Sequence, residues 1–200
     1  MYKIVNLHSA YRLLNHGPTT LITSAHNGKR NIMAAAWVCA LDFDPPKVTV
    51  VIDKNTYTRE LIEASGTFAI NLPCVAQIDL VQKLGNSSGR DLPDTDKFAV
   101  HNLTTFDAQQ IALPLLKGCV AWLECKVIPE PHIQNTYDLF VAEVVAACAD
   151  ERVFSNGRWH FESQQSDGHD QATLDKLRTI HHVAGGAFFA TGKALQASQD

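Results

Sequence analysis

Three stretches of this chain carry residue types that ordinary scaffold does not need. The first is Asn31-Ile32-Met33-Ala34-Ala35-Ala36-Trp37, where three alanines replace the bulky alternation of a strand. Small side chains let a flat molecule lie close to the backbone, where its polar edge can meet main-chain amides. The same alanines would equally fit a crowded barrel interior. The second stretch, Asp53-Lys54-Asn55-Thr56-Tyr57-Thr58-Arg59-Glu60, joins a strand end, hydroxyls and two cations to a helix start. Free amides at a helix N-terminus attract phosphate, and Lys54, Thr56, Thr58 and Arg59 add donors. An ordinary capped helix would explain the threonines but not the clustered cations. The third is Asn86-Ser87-Ser88-Gly89-Arg90-Asp91 with Asp96-Lys97-Phe98 downstream, a polar glycine loop able to close over an anion or simply to meet solvent.

Other chemistries find less support. No GxSxG nucleophile elbow is present, and Cys74 has no orienting partner in the sequence. The histidines at 8, 16, 26, 101, 132, 160, 169, 181 and 182 include no HxxxH pair. His181 and His182 would face opposite ways on a strand, so no metal site is expected. The phosphate cradles GxGxxG and GxxxxGK[ST] are absent as well.

The elements that must position these stretches are mostly strands. A first helix is expected from a Ser9 cap to Gly17-Pro18. Thr19–Ala25 and Asn31 to about Leu41 form a hairpin, because Asn27-Gly28 tolerates the positive φ of a tight turn. Asp44-Pro45-Pro46 breaks the chain, and Val48–Asp53 is too β-branched and short for a helix. A helix follows, capped by Asn55 or Thr56, with Glu60 reaching back and Ser65-Gly66 ending it. Thr67–Leu72 is a strand, Gln77–Leu84 a short helix, Gly85–Asp96 a loop and Val100–Thr105 a short strand. Gly118–Pro129 and Tyr137–Ala149 pair as a hairpin across Pro129-Glu130-Pro131. Phe154–Glu162 is turn-rich, and a short helix at most spans Leu174–Ile180.

Composition narrows the function classes. The chain has 200 residues, 46% hydrophobic and 19% charged, enough for a core and below the roughly 25% charge typical of soluble domains. That deficit suggests surface buried against a partner, such as another copy of the chain. Net charge is −4 and the basic residues form no run beyond Lys29-Arg30, which disfavours nucleic acid. The longest apolar run, Ile32–Leu41, is about half of what a membrane helix needs. The N-terminus shows no signal-like pattern, so a cytoplasmic location is expected. Five cysteines without CxxC read as buried thiols, Cys39, Cys119, Cys125 and Cys148 among apolar neighbours.

In order and spacing, the hairpin turn, Asn31–Trp37, Asp44-Pro45-Pro46, Val48–Ile52, Lys54–Thr58 and Gly66–Asn71 resemble the flavin reductase-like, FMN-binding split-barrel family. Ser88-Gly89-Arg90-Asp91, Asp96-Lys97-Phe98 and the tail Gly185-Gly186-Ala187-Phe188-Phe189 resemble its flavoredoxin branch. The resemblance implies a mainly β chain with short helices, a six-stranded antiparallel split β-barrel. It would be a single domain over 1–200, with a barrel core about 17–150 and an extension 151–200. It implies a homodimer, FMN as cofactor, NADH or NADPH as electron donor, and a small-molecule or protein acceptor. By match of position, Asn31, Met33, Ala34, Ala35, Ala36 and Trp37 would run beside the isoalloxazine. Lys54, Thr56, Tyr57 and Thr58 would hold phosphate and ribityl chain, and Asn71 would end the strand closing the pocket. Ser88, Gly89, Arg90 and Lys97 would complete it. Many relatives carry a Thr-Ala-Ser type triplet where Ala34-Ala35-Ala36 stands, so a hydroxyl that could bond the flavin ring is missing and backbone amides could replace it. The alternative is a flavoprotein electron carrier, or a flavin-binding module without nicotinamide oxidation.

Overall fold

The computed structural model describes residues 13, 17–92, 96–163 and 168–198. The expected first helix lies outside them. Asn27 and Gly28 both take positive φ, 48° and 76°, and join β1 (Thr20–His26) to β2 (Lys29–Ala35) in an antiparallel hairpin.

The return strand is not continuous to Leu41. Ala36 and Trp37 interrupt it, and the chain resumes as β3 (Val38–Phe43), paired with β4 (Pro46–Val51) across the cis Asp44–Pro45 peptide. The reason is topological. α1 (Tyr57–Ser65), β5 (Thr67–Leu72), β8 (Ala121–Ile128) and β9 (Leu139–Ala149) complete a seven-stranded sheet in the order β2-β1-β5-β8-β9-β4-β3, with α1 beside it. β2 and β3 therefore occupy opposite edges although only two residues separate them. A sheet whose edges are tied by so short a link has to curl, and the linking strand has to kink as it passes from one edge to the other. This is the split barrel, with seven strands instead of six because the kink divides one expected strand into two.

Between β5 and β8 lie α2 (Ile78–Gly85), α3 (Lys97–Val100), β6 (Thr105–Asp107) and β7 (Pro114–Leu116). The strand expected over Val100–Thr105 is corrected. The Asp96 carboxylate accepts the Ala99 N–H at 2.6 Å and caps a helical turn, so strand structure begins only at Thr105. The Gly85–Asp96 loop contains one 3₁₀ turn, Gly89–Asp91. β8 and β9 pair as expected, with α4 (Pro131–Tyr137) filling the connection. The C-terminal part holds the β10 (Phe154–Ser155) and β11 (Arg158–Trp159) hairpin, α5 (Gln171–Leu177), and a hairpin of β12 (Ile180–Ala184) and β13 (Ala187–Ala190).

Two apolar layers hold this together, and β1 serves both. Ile22 faces the barrel interior with Val50, Ile52, Phe68, Ile70 and Phe140, closed by Ile62 of α1. Leu21 faces the other way, into Ile32, Val81, Leu84, Phe98 and Ile180. Alternate residues of a strand point to opposite faces, so a strand buried on both needs apolar side chains on both. Cys74, Cys119 and Cys125 are buried, and burial pushes the Cys125 thiol up to about 12, which disables it as a nucleophile at neutral pH. Cys39 departs from expectation: it is exposed, because β3 is an edge strand. No helix of the described residues is long and apolar enough to cross a membrane, and they contain no cluster of metal-ligating side chains.

Candidate functional site

The kink at Ala36-Trp37 leaves the end of β2 facing a groove. Thr56 starts α1 beside it, its hydroxyl accepting the Arg59 N–H at 3.4 Å, and Gly66 ends the helix at φ 69°. The Arg59 amide is taken by the Thr56 cap, and the Tyr57 and Thr58 amides ahead of it, which have no intrahelical acceptor, point toward the space before the helix. Glu60 does not reach back to this end as expected; it pairs with Arg90 at 2.5 Å and so ties the 86–92 loop to α1.

A cavity of about 220 Å³ lies between β2, the start of α1 and that loop. Asn31, Met33, Ala34, Thr56, Tyr57, Thr58, Ser88, Gly89 and Lys97 all line it, drawn from three sequence stretches. Asn31 is buried and donates from Nδ2 to Thr58 Oγ1 at 2.9 Å, while its Oδ1 has no hydrogen-bond partner. Gly89 is needed there: a Cβ would lie 2.6 Å from Asn31 Oδ1 and 2.9 Å from the Tyr57 ring. Lys97 is 2% exposed, and its ammonium donates to Leu84 O at 2.8 Å. The adjacent carboxylate, Asp96, is committed to Arg30 at 2.5 Å, and Lys97 has no ion pair among the described residues. Burial pushes the Lys97 pKa down to about 8. A buried cation with one carbonyl for company and an orphaned amide oxygen are both costs: an anionic group would relieve the first and a hydroxyl donor the second, so a ligand that carries both fits this end.

From Met33 and Ala34 the groove continues into a cavity of about 510 Å³ along Ala35, Ala36 and Trp37, walled by His182–Gly185 and Tyr137. A third space of about 220 Å³ flanks the alanines on the side of Gly85, Phe188 and buried Thr19, whose Oγ1 has no partner. The groove thus has a polar, cationic end and a flat end, where the small alanines face Trp37, Tyr137 and His182.

Three expected site residues lie elsewhere. Asn71 is fully buried in the barrel wall, donating to Leu21 O at 2.9 Å and accepting from Leu116 N at 2.8 Å. Lys54 is exposed in the turn before α1 and is not among the residues lining the polar cavity. Arg90 faces the neighbouring space beyond Tyr57 and Gly89. Sequence reasoning missed Gly85, whose Cβ would stand 3.4 Å from that of Ala34, so helix and alanine strand approach closely. It also left His182 without a role. The two histidines do diverge: His181 bridges Gly17 O and Thr191 Oγ1, each at 3.1 Å, while His182 lines the groove. His182 Nε2 lies 2.9 Å from Gly185 O, and since a carbonyl only accepts, that nitrogen carries the proton.

The chain is similar to known proteins over most of its length. The family model described as "Flavin reductase like domain" matches residues 12–166. An uncharacterised protein of Escherichia coli (strain K12), YddH, is 44% identical over 196 residues, covering 96% of each chain. A solved FMN-binding domain of a flavin reductases-like enzyme from Shewanella baltica OS155 is 47% identical, with TM-score 0.82 over 97% of this chain and 96% of that one. The flavoredoxin of Desulfovibrio vulgaris (Miyazaki F) shares the fold, with TM-score 0.78 at 24% identity, over 99% of this chain and 97% of that one.

Proposed function

The chain belongs to the flavin reductase-like family, and on that premise we propose that it is an oxidoreductase that holds FMN along the β2 groove and passes electrons from NADH or NADPH to an acceptor. The observation that carries this is the buried, carboxylate-free ammonium of Lys97 in the same cavity as the orphaned Asn31 oxygen. Bound FMN would supply the hydride and electron chemistry that the groove's own side chains lack. Lys97, the Thr56–Thr58 turn and the Ser88-Gly89 loop hold its phosphate and ribityl chain. Ala34, Ala35 and Ala36 give the ring a close wall and meet its polar edge with backbone amides in place of a hydroxyl. Trp37 and His182 bound the space left for the electron donor, at the flat end. Asn71 positions the wall, and exposed Lys54 adds longer-range attraction for the phosphate. Residues 151–200 complete the same domain, since β12 lines the groove.

The test is the visible absorption spectrum of the purified protein, followed by anaerobic addition of NADH and then NADPH. A flavin spectrum that bleaches supports the proposal and identifies the donor. A flavin spectrum that survives both additions reassigns the protein as an electron carrier or flavin-binding module. A colourless protein that takes up no added FMN overturns the assignment.

Gly89→Ala tests the polar end. The added methyl group has no room against Asn31 Oδ1 and the Tyr57 ring, and relieving overlap of this kind costs about 1–3 kcal/mol. The loop can move away in the free protein but must return to close over FMN. We expect roughly tenfold weaker FMN binding by fluorescence titration, with the melting temperature of the FMN-free protein nearly unchanged.

A second copy of the chain would cover β3. This edge exposes Leu41 at 54% and Phe43 at 91%, next to Trp37 at 52%. An uncovered apolar edge strand invites pairing or association. Phe43→Glu is expected to halve the mass measured by light scattering. A wild-type protein that is already monomeric at micromolar concentration would remove the dimer from the proposal.

A further inference from the structure

Two adjacent threonines lead into β1, and their hydroxyls have opposite fates. Thr20 is buried and donates from Oγ1 to Ala35 O at 2.9 Å. Thr19 is 3% exposed, and its buried Oγ1 has no hydrogen-bond partner among the described residues. Burial keeps water from that hydroxyl as well. Valine, of the same shape, would avoid the cost of an unpaired polar group. The backbone holds Thr19 in this position. Its N–H donates to Ile180 O at 2.8 Å, and Gly17 O accepts from His181 Nδ1 at 3.1 Å, so β12 fixes residues 17 and 19. The hairpin register then sets the side chain. Ala35 lies opposite Thr20 and Ala34 opposite Leu21, which brings Ala36 beside Thr19. Opposed residues share a face and alternate ones return to it, so Thr19 stands on the face of Ala34 and Ala36. All three line the cavity of about 220 Å³ beside Gly85. Of the residues that the β1–β2 hairpin and its approach contribute to this cavity, only Thr19 has a polar side chain.

We propose that the Thr19 hydroxyl is a hydrogen-bond partner for the polar edge of the flavin ring, acting beside the strand amides. This rests on the FMN assignment above. Alanine side chains end at Cβ and offer a ring nothing to bond. Thr19 supplies a hydroxyl from the neighbouring strand, on the same face. A turn of its one side-chain torsion between staggered positions carries the oxygen to a group seated in the cavity. A hydroxyl both donates and accepts, so it suits a ring edge that carries both kinds of group. Reduction puts more negative charge on that edge, and a donor there favours the reduced form.

Thr19→Val removes the hydroxyl and keeps the shape, and Thr19→Ser keeps the hydroxyl. Fluorescence titration is expected to show FMN bound about fivefold more weakly by Thr19→Val. The visible absorption bands of its bound FMN shift, and the midpoint potential falls. The FMN-free variant melts at the wild-type temperature or above it. Thr19→Ser is expected to hold FMN affinity within about twofold of wild type, with wild-type band positions. A Thr19→Val protein with unchanged affinity, bands and potential overturns the proposal and leaves the FMN assignment standing. A Thr19→Val protein whose FMN-free form melts well below wild type also overturns it, because the hydroxyl would then serve the fold. A wild-type protein that takes up no FMN removes the FMN assignment itself, and this inference with it.

Discussion

Lys97→Met should weaken FMN binding roughly 10- to 100-fold while leaving the FMN-free protein as stable as before, or more so. The two halves have one cause. In the free protein the ammonium is buried and donates to the carbonyl of Leu84. Methionine of similar length removes that desolvation cost, and a buried charge replaced by an apolar side chain is often neutral or stabilising. In the complex the ammonium faces a phosphate, and a hydrogen bond to a charged group contributes about 1.5–3 kcal/mol. Fluorescence titration and thermal melts with and without FMN separate the halves. An FMN affinity within twofold of wild type would show that Lys97 is a filler of the core and not a ligand of the phosphate.

The pH dependence has a sign that follows from the same burial. Free Lys97 titrates at about 8, below the ordinary 10.5, because its charged form is desolvated. Between those values the unfolded chain holds a proton that the folded one has lost, so stability of the FMN-free protein rises with pH across this window. Binding runs the opposite way. A phosphate dianion favours the protonated lysine and lifts its pKa in the complex, so binding above pH 8 must take up a proton. FMN affinity is therefore flat from about pH 7, where the phosphate is a dianion, to about pH 8, and falls above it, toward tenfold per pH unit. Lys97→Met abolishes both slopes.

What was legible in the sequence was local. Asn27-Gly28 specifies a turn by its backbone freedom alone, and both residues adopt the positive φ it requires. Thr56 and Gly66 bracket α1 because a cap acts within three or four residues. The division of Asn31–Leu41 was not legible, since the apolar run continues through Ala36-Trp37 and the cause is pairing at opposite sheet edges. Nor was the environment of Lys97. Nothing beside it in sequence marks a buried cation; Leu84, thirteen residues away on α2, does so in space. Asn71 shows the converse. A polar residue at a strand end is compatible with a binding pocket, but its amide spans Leu21 and Leu116, partners that only the assembled barrel supplies.

Arg59 carries the largest expected effect on stability, and it acts on the site through the helix that the phosphate would meet. Its side chain is 6% exposed and uses its donors in three directions. Nε pairs with Glu63 at 2.7 Å, Nη1 with Asp138 at 2.5 Å and Ile52 O at 3.3 Å, and Nη2 with Gln134 O at 2.9 Å. The guanidinium also lies 5.2 Å from the centre of the Phe140 ring. One side chain thus fastens α1 to the end of β4, to α4 and to β9. Arg59→Leu keeps the apolar bulk but strands two backbone carbonyls and the Asp138 carboxylate. Losing one partner of a buried pair costs about 3–5 kcal/mol, and partial hydration of the half-exposed Glu63 places the expected loss near the lower figure. For a chain of this length that is a fall of about 6–12 °C in Tm. Arg59→Lys should recover little, because a point charge cannot serve acceptors arranged around a planar fork. Glu63→Gln, which removes only the exposed arm, should cost under about 1 kcal/mol. A loss below about 1 kcal/mol for Arg59→Leu would mean that apolar packing alone seats α1. Thr58 adjoins Arg59 in the same turn, so the destabilised variant should also bind FMN more weakly, and saturating FMN should return part of the lost Tm.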